Sequence, residues 1–340
     1  MWVRKDRIFL VAELSANHNQ DKDLALRTIK AAKDSGADAI KLQTYTPDCL
    51  TIDCDLKDFR IEGTLWEGKK FYDLYQEAMT PWEWHTELFD YAHKLGLVCF
   101  SSPFSKKGVD FLEELGNPIY KVASFEIVDL ELIAYIARLG KPIILSKGIA
   151  TKEEIQEAIE VCRQAGNSEV TLLQCTSSYP APLKSGNLRL IPKLKQDFGV
   201  EVGLSDHTLG ITAPIVAASL GARVIEKHFI LERKLGGVDS TFSLEPQEFS
   251  QMAKAVREVE ELLGIPTYEL SEKSKEGRAF MRSLYVIKDI KKGERISRDS
   301  IRSIRPGYGI APKYLNAILG KCASKDLYRG KALEFGDWEE

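Results

Sequence analysis

Two histidines and a set of lysines with hydroxyl neighbours carry the chemistry legible in this sequence. His207 sits in Ser205-Asp206-His207-Thr208 and His228 in Glu226-Lys227-His228. Two neutral imidazoles with open positions beside them suit a catalytic Mn2+, Zn2+ or Fe2+, although a histidine in such a place serves equally as a hydrogen-bonded structural residue. Lysines recur in similar settings: Lys41-Leu42-Gln43, Lys121-Val122-Ala123-Ser124-Phe125-Glu126, Ser146-Lys147-Gly148 and Glu226-Lys227. Lysine as a point charge, with Ser and Thr hydroxyls around it, suits an anionic, phosphorylated ligand. Glu13 and Glu226 either move protons or neutralise Lys41 and Lys227.

These residues need elements that bring them to one place. Short apolar runs at 8–14, 39–45, 97–103, 120–124, 142–148, 170–176, 200–206 and 224–229 alternate with amphipathic stretches such as 23–35, 81–95, 106–115, 130–139, 152–165 and 211–220. The apolar residues of the longer stretches recur at helical spacing, as in Ile155, Ile159 and Cys162, and the runs have few polar positions. Gly36, Gly96, Gly116, Gly140, Gly166 and Gly221 stand where C-terminal helix caps belong. Strands with few polar residues, alternating with helices, imply a parallel sheet covered on its outer face. Eight such units fit a (β/α)8 TIM barrel, whose active residues gather at the carboxyl ends of the strands. The competing architecture is an open doubly wound sheet, weakened by the lack of a glycine-rich phosphate fingerprint after the first strand. Every motif above falls at a strand end, and random polarity does not produce that pattern.

The stretch 46–80 breaks the alternation, with Phe59, Trp66, Phe71, Tyr72 and Tyr75 and few helix signals before Lys70. Long loops in compact domains are usually functional; this one is either that or a plain cap. After a helix at 246–263 the pattern changes. The expected organisation is a barrel over 1–265, a polar linker over 266–282 and a small β-rich domain over 283–340, opened by the alternating strand 283–290 and a turn at Lys291-Lys292-Gly293-Glu294.

Composition excludes several classes. With 47 basic against 50 acidic residues and no long single-sign run, nothing points to nucleic acid or a membrane surface. The apolar run from Ile8 to Val11 is too short for a signal or a membrane span. Six scattered cysteines without a CxxC pair read as reduced thiols, which fits a cytoplasmic protein.

The same strand ends resemble one family. Ala12-Glu13-Leu14-Ser15-Ala16-Asn17-His18-Asn19, Lys41-Leu42-Gln43-Thr44, Ser102-Pro103-Phe104, Tyr120-Lys121-Val122-Ala123-Ser124, Gly203-Leu204-Ser205-Asp206-His207-Thr208 and Glu226-Lys227-His228-Phe229 are similar to the sialic acid synthases. The tail, with Lys288-Asp289-Ile290-Lys291-Lys292-Gly293-Glu294 and Arg305-Pro306-Gly307, resembles their antifreeze-like (SAF) domain. Leu14–Asn19, Trp66-Glu67-Gly68 and Thr80-Pro81-Trp82-Glu83-Trp84-His85 look like the pseudaminic acid synthase branch.

The resemblance implies a phosphoenolpyruvate-dependent, aldol-type condensation with an N-acetylated amino sugar that releases phosphate by C–O cleavage. In the pseudaminate branch the sugar is 2,4-diacetamido-2,4,6-trideoxy-β-L-altropyranose in its open-chain form. His207 and His228 would hold a divalent cation, Mn2+ foremost, with Mg2+ or Co2+ as substitutes. Lys41, Ser102, Lys121, Ser124, Ser177 and Ser205 match phosphoenolpyruvate-binding positions, and Glu13 matches an essential glutamate of the first strand. Gln43, Tyr179, Asp239 and Arg305 match sugar contacts. Arg305 would reach a partner's barrel in a homodimer. Ser177 stands where neuraminate enzymes often have asparagine, and Lys147 where many members have threonine. Other outcomes are an N-acetylneuraminate or legionaminate synthase, a Schiff-base aldolase using Lys121 or Lys147, and a non-catalytic sugar-binding protein.

Overall fold

The computed structural model describes residues 7–339. The chain divides into two compact units, 1–264 and 265–340. In the first, β1 (Phe9–Glu13), β2 (Ala39–Thr44), β3 (Val98–Pro103), β4 (Tyr120–Val122), β5 (Ile143–Ser146), β6 (Val170–Cys175), β7 (Glu201–Asp206) and β8 (Val224–His228) pair in sequence order. All pairs are parallel, and β8 returns to β1, closing the barrel. The open doubly wound sheet is thereby ruled out.

The helices are α1 (Lys22–Asp34), α2 (Pro47–Leu50), α3 (Phe71–Ala78), α4 (His85–Lys94), α5 (Lys106–Glu114), α6 (Leu130–Ala137), α7 (Lys152–Gln164), α8 (Leu190–Phe198), α9 (Thr212–Ser219) and α10 (Pro246–Leu263). The starts of α1, α5, α6 and α7 are set by side chains that satisfy the first free N–H groups. Asp21 accepts from Asp23 N and Leu24 N, and Thr151 with Glu154 forms a reciprocal capping box. The six glycines expected at helix ends all have positive φ, as a left-handed cap requires. The expected helix 81–95 is split: Trp82–Trp84 form a 3-10 turn before α4. The 46–80 stretch holds α2, begun on Pro47, and α3, with an antiparallel bridge between Arg60 and Lys70 in between.

Alternation along the strands sorts the barrel interior into layers. Val11, Ala39, Phe100, Ile119, Ile144, Leu173 and Val224 pack together as an apolar floor. Two residues further along each strand the floor gives way to polar side chains. The opposite faces of the strands, with Leu10, Ile40 and Leu145 among them, pack under the helices in the main core.

The second unit carries α11 (Glu272–Gly277), started by Ser271 accepting from Ser274 N. A short helix therefore lies in the stretch expected to be plain linker. Then come β9 (Ser283–Val286), which ends earlier than the alternation suggests, β10 (Ile301–Ile304), β11 (Cys322–Ala323) and β12 (Trp338–Glu339). They form two antiparallel pairs around Leu284, Val286, Ile301 and Leu333.

Candidate active site

One residue from each strand forms a ring above the floor: Glu13, Lys41, Ser102, Lys121, Ser146, Cys175, Ser205 and Glu226, seven of them two positions beyond a floor residue and Ser205 two beyond Gly203. All eight are buried. Two carboxylates, two ammonium groups, three hydroxyls and a thiol thus share one layer. Lys41 Nζ lies 2.6 Å from Glu13 Oε2, 3.7 Å from Glu226 Oε1 and 3.4 Å from Ser102 Oγ. Ser205 donates to Glu226 Oε1 at 3.3 Å.

Two carboxylates that face one lysine separate in their titration. Burial raises Glu13 to about 7 against the pull of Lys41. Burial also pushes Glu226 upward, but Lys41, Lys121 and His207 outweigh it and hold it below the ordinary carboxylate range. Glu226 stays ionised while Glu13 exchanges its proton near neutrality. Burial lowers Lys121, and the charge of Lys41 adds to the effect. Glu226 Oε2 and Ser146 Oγ have no hydrogen-bond partner among the described residues, an arrangement that native interiors avoid unless a ligand supplies the partner.

The next layer outward holds the other expected residues. Gln43 donates to Glu13 Oε1 and Ser15 Oγ at 3.0 and 2.9 Å. Ser177 donates to Ser124 Oγ at 2.9 Å. Gly148 makes that pairing possible: a Cβ there would lie 2.3 Å from Ser124 Cβ and 2.8 Å from Ser177 Oγ.

His207 and His228 face each other with ring centroids 5.3 Å apart. Burial lowers both pKa values, so both rings are neutral at pH 7. The 3.1 Å contact of His207 Nδ1 with Thr176 O assigns the proton to Nδ1 and leaves the Nε2 lone pair available. Among the described residues His228 Nδ1 has no hydrogen-bond partner, and Asp239 Oδ2 lies 3.9 Å from it. Neutral rings with a free lone pair and an orphaned nitrogen fit a divalent cation, with its remaining positions open to water or substrate; no cluster of three or more protein ligands occurs among the described residues. Asp239 also accepts from Ala16 N at 3.3 Å. Tyr179 packs 4.4 Å from His207. Arg305, in the second unit, is exposed and precedes a cis proline.

One expectation is corrected. Lys227 does not reach the mouth, and Glu226 does not neutralise it. Neighbouring strand residues point to opposite faces, so with Glu226 inward Lys227 turns outward, where it is fully buried against Asp206 Oδ2 (2.5 Å) and Thr208 O. Sequence reasoning also passed over Ser146 and Cys175 as site residues; counting two positions from Ile144 and Leu173 finds both. Glu126 is a further omission: burial raises it to about 7 despite Lys121, and its Oε2 has no hydrogen-bond partner among the described residues. A buried carboxylate two residues past Ser124 was the available signal.

Comparison with known proteins bears on the family of the chain. The NeuB family model matches residues 28–268 and the SAF domain model residues 281–337. A pseudaminic acid synthase of Campylobacter jejuni is 49% identical over 333 residues, 98% of this chain and 97% of that one. Another, of Helicobacter pylori, is 50% identical over 331 residues, 97% of each chain. An N,N'-diacetyllegionaminic acid synthase of Legionella pneumophila is 36% identical over 96% of this chain and 93% of its own length. Among solved structures, the N-acetylneuraminic acid synthetase of Leptospira borgpetersenii in complex with citrate superposes with a TM-score of 0.73 at 31% identity, covering 80% of this chain and 90% of that one. Barrel, tail and near-full-length identity together place this chain in the NeuB family, with a SAF domain at its C-terminus.

Proposed function

We propose that this chain is a transferase that condenses phosphoenolpyruvate with 2,4-diacetamido-2,4,6-trideoxy-β-L-altropyranose and water, giving pseudaminate and phosphate. The observation that carries the substrate is identity near 50%, over almost the whole length, to two pseudaminic acid synthases, against 36% to a legionaminate enzyme. The ring supports the chemistry. Lys41 and Lys121 offer two buried cations to a phosphate and a carboxylate, and Ser102, Ser124, Ser177 and Ser205 offer hydroxyls beside them. Enclosed in a low-dielectric barrel, these contacts fix the enol phosphate with its C3 toward the sugar aldehyde.

C3 bonds to the aldehyde carbon, water adds at C2, and the C2–O bond to phosphate breaks. One proton of the attacking water goes to the former aldehyde oxygen, and the other leaves with phosphate as C2 becomes a carbonyl. Glu13, with a pKa of about 7, is the group suited to carry the first proton. His207 and His228 would hold a divalent metal, Mn2+ foremost, which supplies Lewis acidity toward the aldehyde oxygen when bound. Gln43, Tyr179 and Asp239 line the sugar side. Arg305 completes the site of a partner chain in a homodimer; mixing Arg305→Ala with His207→Ala chains restores activity if it does. Among the described residues no helix is long and apolar enough to cross a membrane, and a cytoplasmic setting is part of this proposal.

The test is a panel of N-acetylated hexosamines with phosphoenolpyruvate, read by phosphate release and product mass. The altrose derivative is expected to exceed N-acetylmannosamine in kcat/KM by roughly 10- to 200-fold, because a C6 hydroxyl finds no partner in an apolar pocket. Parity, or a preference for N-acetylmannosamine, moves the enzyme to the neuraminate branch. Borohydride trapping with pyruvate should label no lysine.

A further inference from the structure

Residues 60–70 form a hairpin-like tongue after β2. Arg60 and Lys70 pair antiparallel, Ile61 N donates to Lys69 O, and Gly68 N donates to Ile61 O. Positions 62–65 and 67–69 are exposed, whereas Ile61 is buried and Trp66 is half-buried. A tongue that leaves Leu65 in solvent turns its indole inward. Trp66 Nε1 donates to Val238 O at 3.3 Å, spanning from the loop after β2 to the loop after β8. Its ring lies 6.1 Å from that of Tyr179, in the loop after β6.

From Tyr179 a chain of aromatic contacts leads inward. Tyr179 touches His207 at 4.4 Å and Phe242 at 5.3 Å, and Phe242 meets His228 at 4.9 Å. The loop that Trp66 grips is gripped again from the loop after β1. Asn19 Nδ2 donates to Leu235 O and Gly236 O. A Cβ at Gly237, where φ is +115°, would lie 2.2 Å from Asn19 Oδ1, so that close seat requires glycine. The twice-held loop carries Asp239.

The indole N–H is engaged by Val238 while the ring is turned toward the mouth. An aromatic side chain held in this way presents a rigid apolar surface at little entropic cost. From this geometry we propose that Trp66 is a specificity-determining residue, forming with Tyr179 the apolar wall against which the methyl groups of the amino sugar pack. The inference rests on the pseudaminate reading above. A 6-deoxy carbon and acetyl methyls gain from such a wall, whereas a C6 hydroxyl there loses its water without finding a partner.

Two variants separate the wall from a simple staple. Trp66→Phe keeps an aromatic face and loses the N–H; Trp66→Ala loses both. The expected result is a rise of about tenfold or more in the KM for the altrose derivative in Trp66→Ala, with the KM for phosphoenolpyruvate within about twofold and Trp66→Phe close to wild type. The preference over N-acetylmannosamine should shrink in Trp66→Ala alone. If the two variants behave alike with the preference intact, or only the phosphoenolpyruvate KM moves, the wall is refuted. Tryptophan fluorescence, titrated with each sugar of the panel without phosphoenolpyruvate, gives a second readout. A sugar-dependent change present in wild type and absent in Trp66→Phe supports the wall; no such difference with any sugar overturns it. Wild type that releases no phosphate with the altrose derivative defeats the pseudaminate reading instead, and the fluorescence then decides the wall by itself.

Discussion

The floor and the ring come from the same eight strands, two residues apart, with opposite chemistry. Val11, Ile144 and Leu173 fill the barrel as any core does; Glu13, Ser146 and Cys175 stand directly above them in a layer where buried atoms lack partners. An interior that wanted only stability would continue the floor upward, since unsatisfied polar groups cost free energy. Cost tolerated at one level of an otherwise apolar barrel marks the level where a ligand is expected to complete the bonding.

The two imidazoles at the ring's outer edge should give the largest effect. His207→Ala or His228→Ala is expected to lower kcat by about a thousandfold or more while leaving the melting temperature close to wild type, and a chelator should silence the wild type reversibly. Full activity in enzyme shown by metal analysis to be empty breaks the assignment.

A paired substitution within β5 gives the next largest effect and tests the two layers directly. Ile144→Ala is expected to cost about 2–5 kcal/mol of stability, read by chemical denaturation, with kcat/KM of the folded enzyme nearly unchanged. Ser146→Ala removes a hydroxyl that has no partner, so stability should hold or rise, while the KM for phosphoenolpyruvate increases a few-fold, roughly as loss of one neutral hydrogen bond allows. Exchange of these two outcomes would mean that the layers are misassigned.

The effect on activity is smallest for a polar cluster on the outward faces of β2 and β3, which acts on stability alone. Thr44 Oγ1 meets His85 Nε2 at 2.8 Å and Ser101 Oγ at 2.6 Å, and His85 Nδ1 meets Pro81 O. His18 similarly meets Thr80 Oγ1. Burial depresses both histidines from 6.5 to about 4. The unfolded chain therefore binds more protons between those values, and the stability that these groups contribute is complete above about pH 6.5 and lost as pH falls toward 4. The expected slope is about 1.4 kcal/mol per pH unit for each histidine. His85→Gln should lower the melting temperature but flatten its decline from pH 7 to 5. An unchanged slope would remove His85 from the account.

Much of this was readable in advance where local rules decide. Strand 170–175 is mostly apolar and buried throughout, and α7 carries its capping box in Thr151 and Glu154. What escaped depends on facing. In a strand buried on both sides, hydropathy does not say which neighbour points inward, so the sequence alone sets Lys227 at the mouth and leaves Ser146 unmarked. Trp66 stands out in the sequence as one aromatic among several and as part of a branch motif, but its place at the mouth does not, because its partner Val238 lies 172 residues away.

The ion pair between Lys227 and Asp206 has one more consequence. It ties β8 to β7 immediately before the two imidazoles, and Asp206 also accepts from the Thr208 N–H and hydroxyl. Neither residue belongs to the ring, yet together they hold the span between His207 and His228. Buried pairs of this kind are often outperformed in stability by apolar replacements. An engineer selecting for heat resistance would be drawn to Asp206→Leu with Lys227→Met, and one selecting for turnover would discard the same double variant. At this spot durability and output pull in opposite directions, and a screen blind to product would choose wrongly.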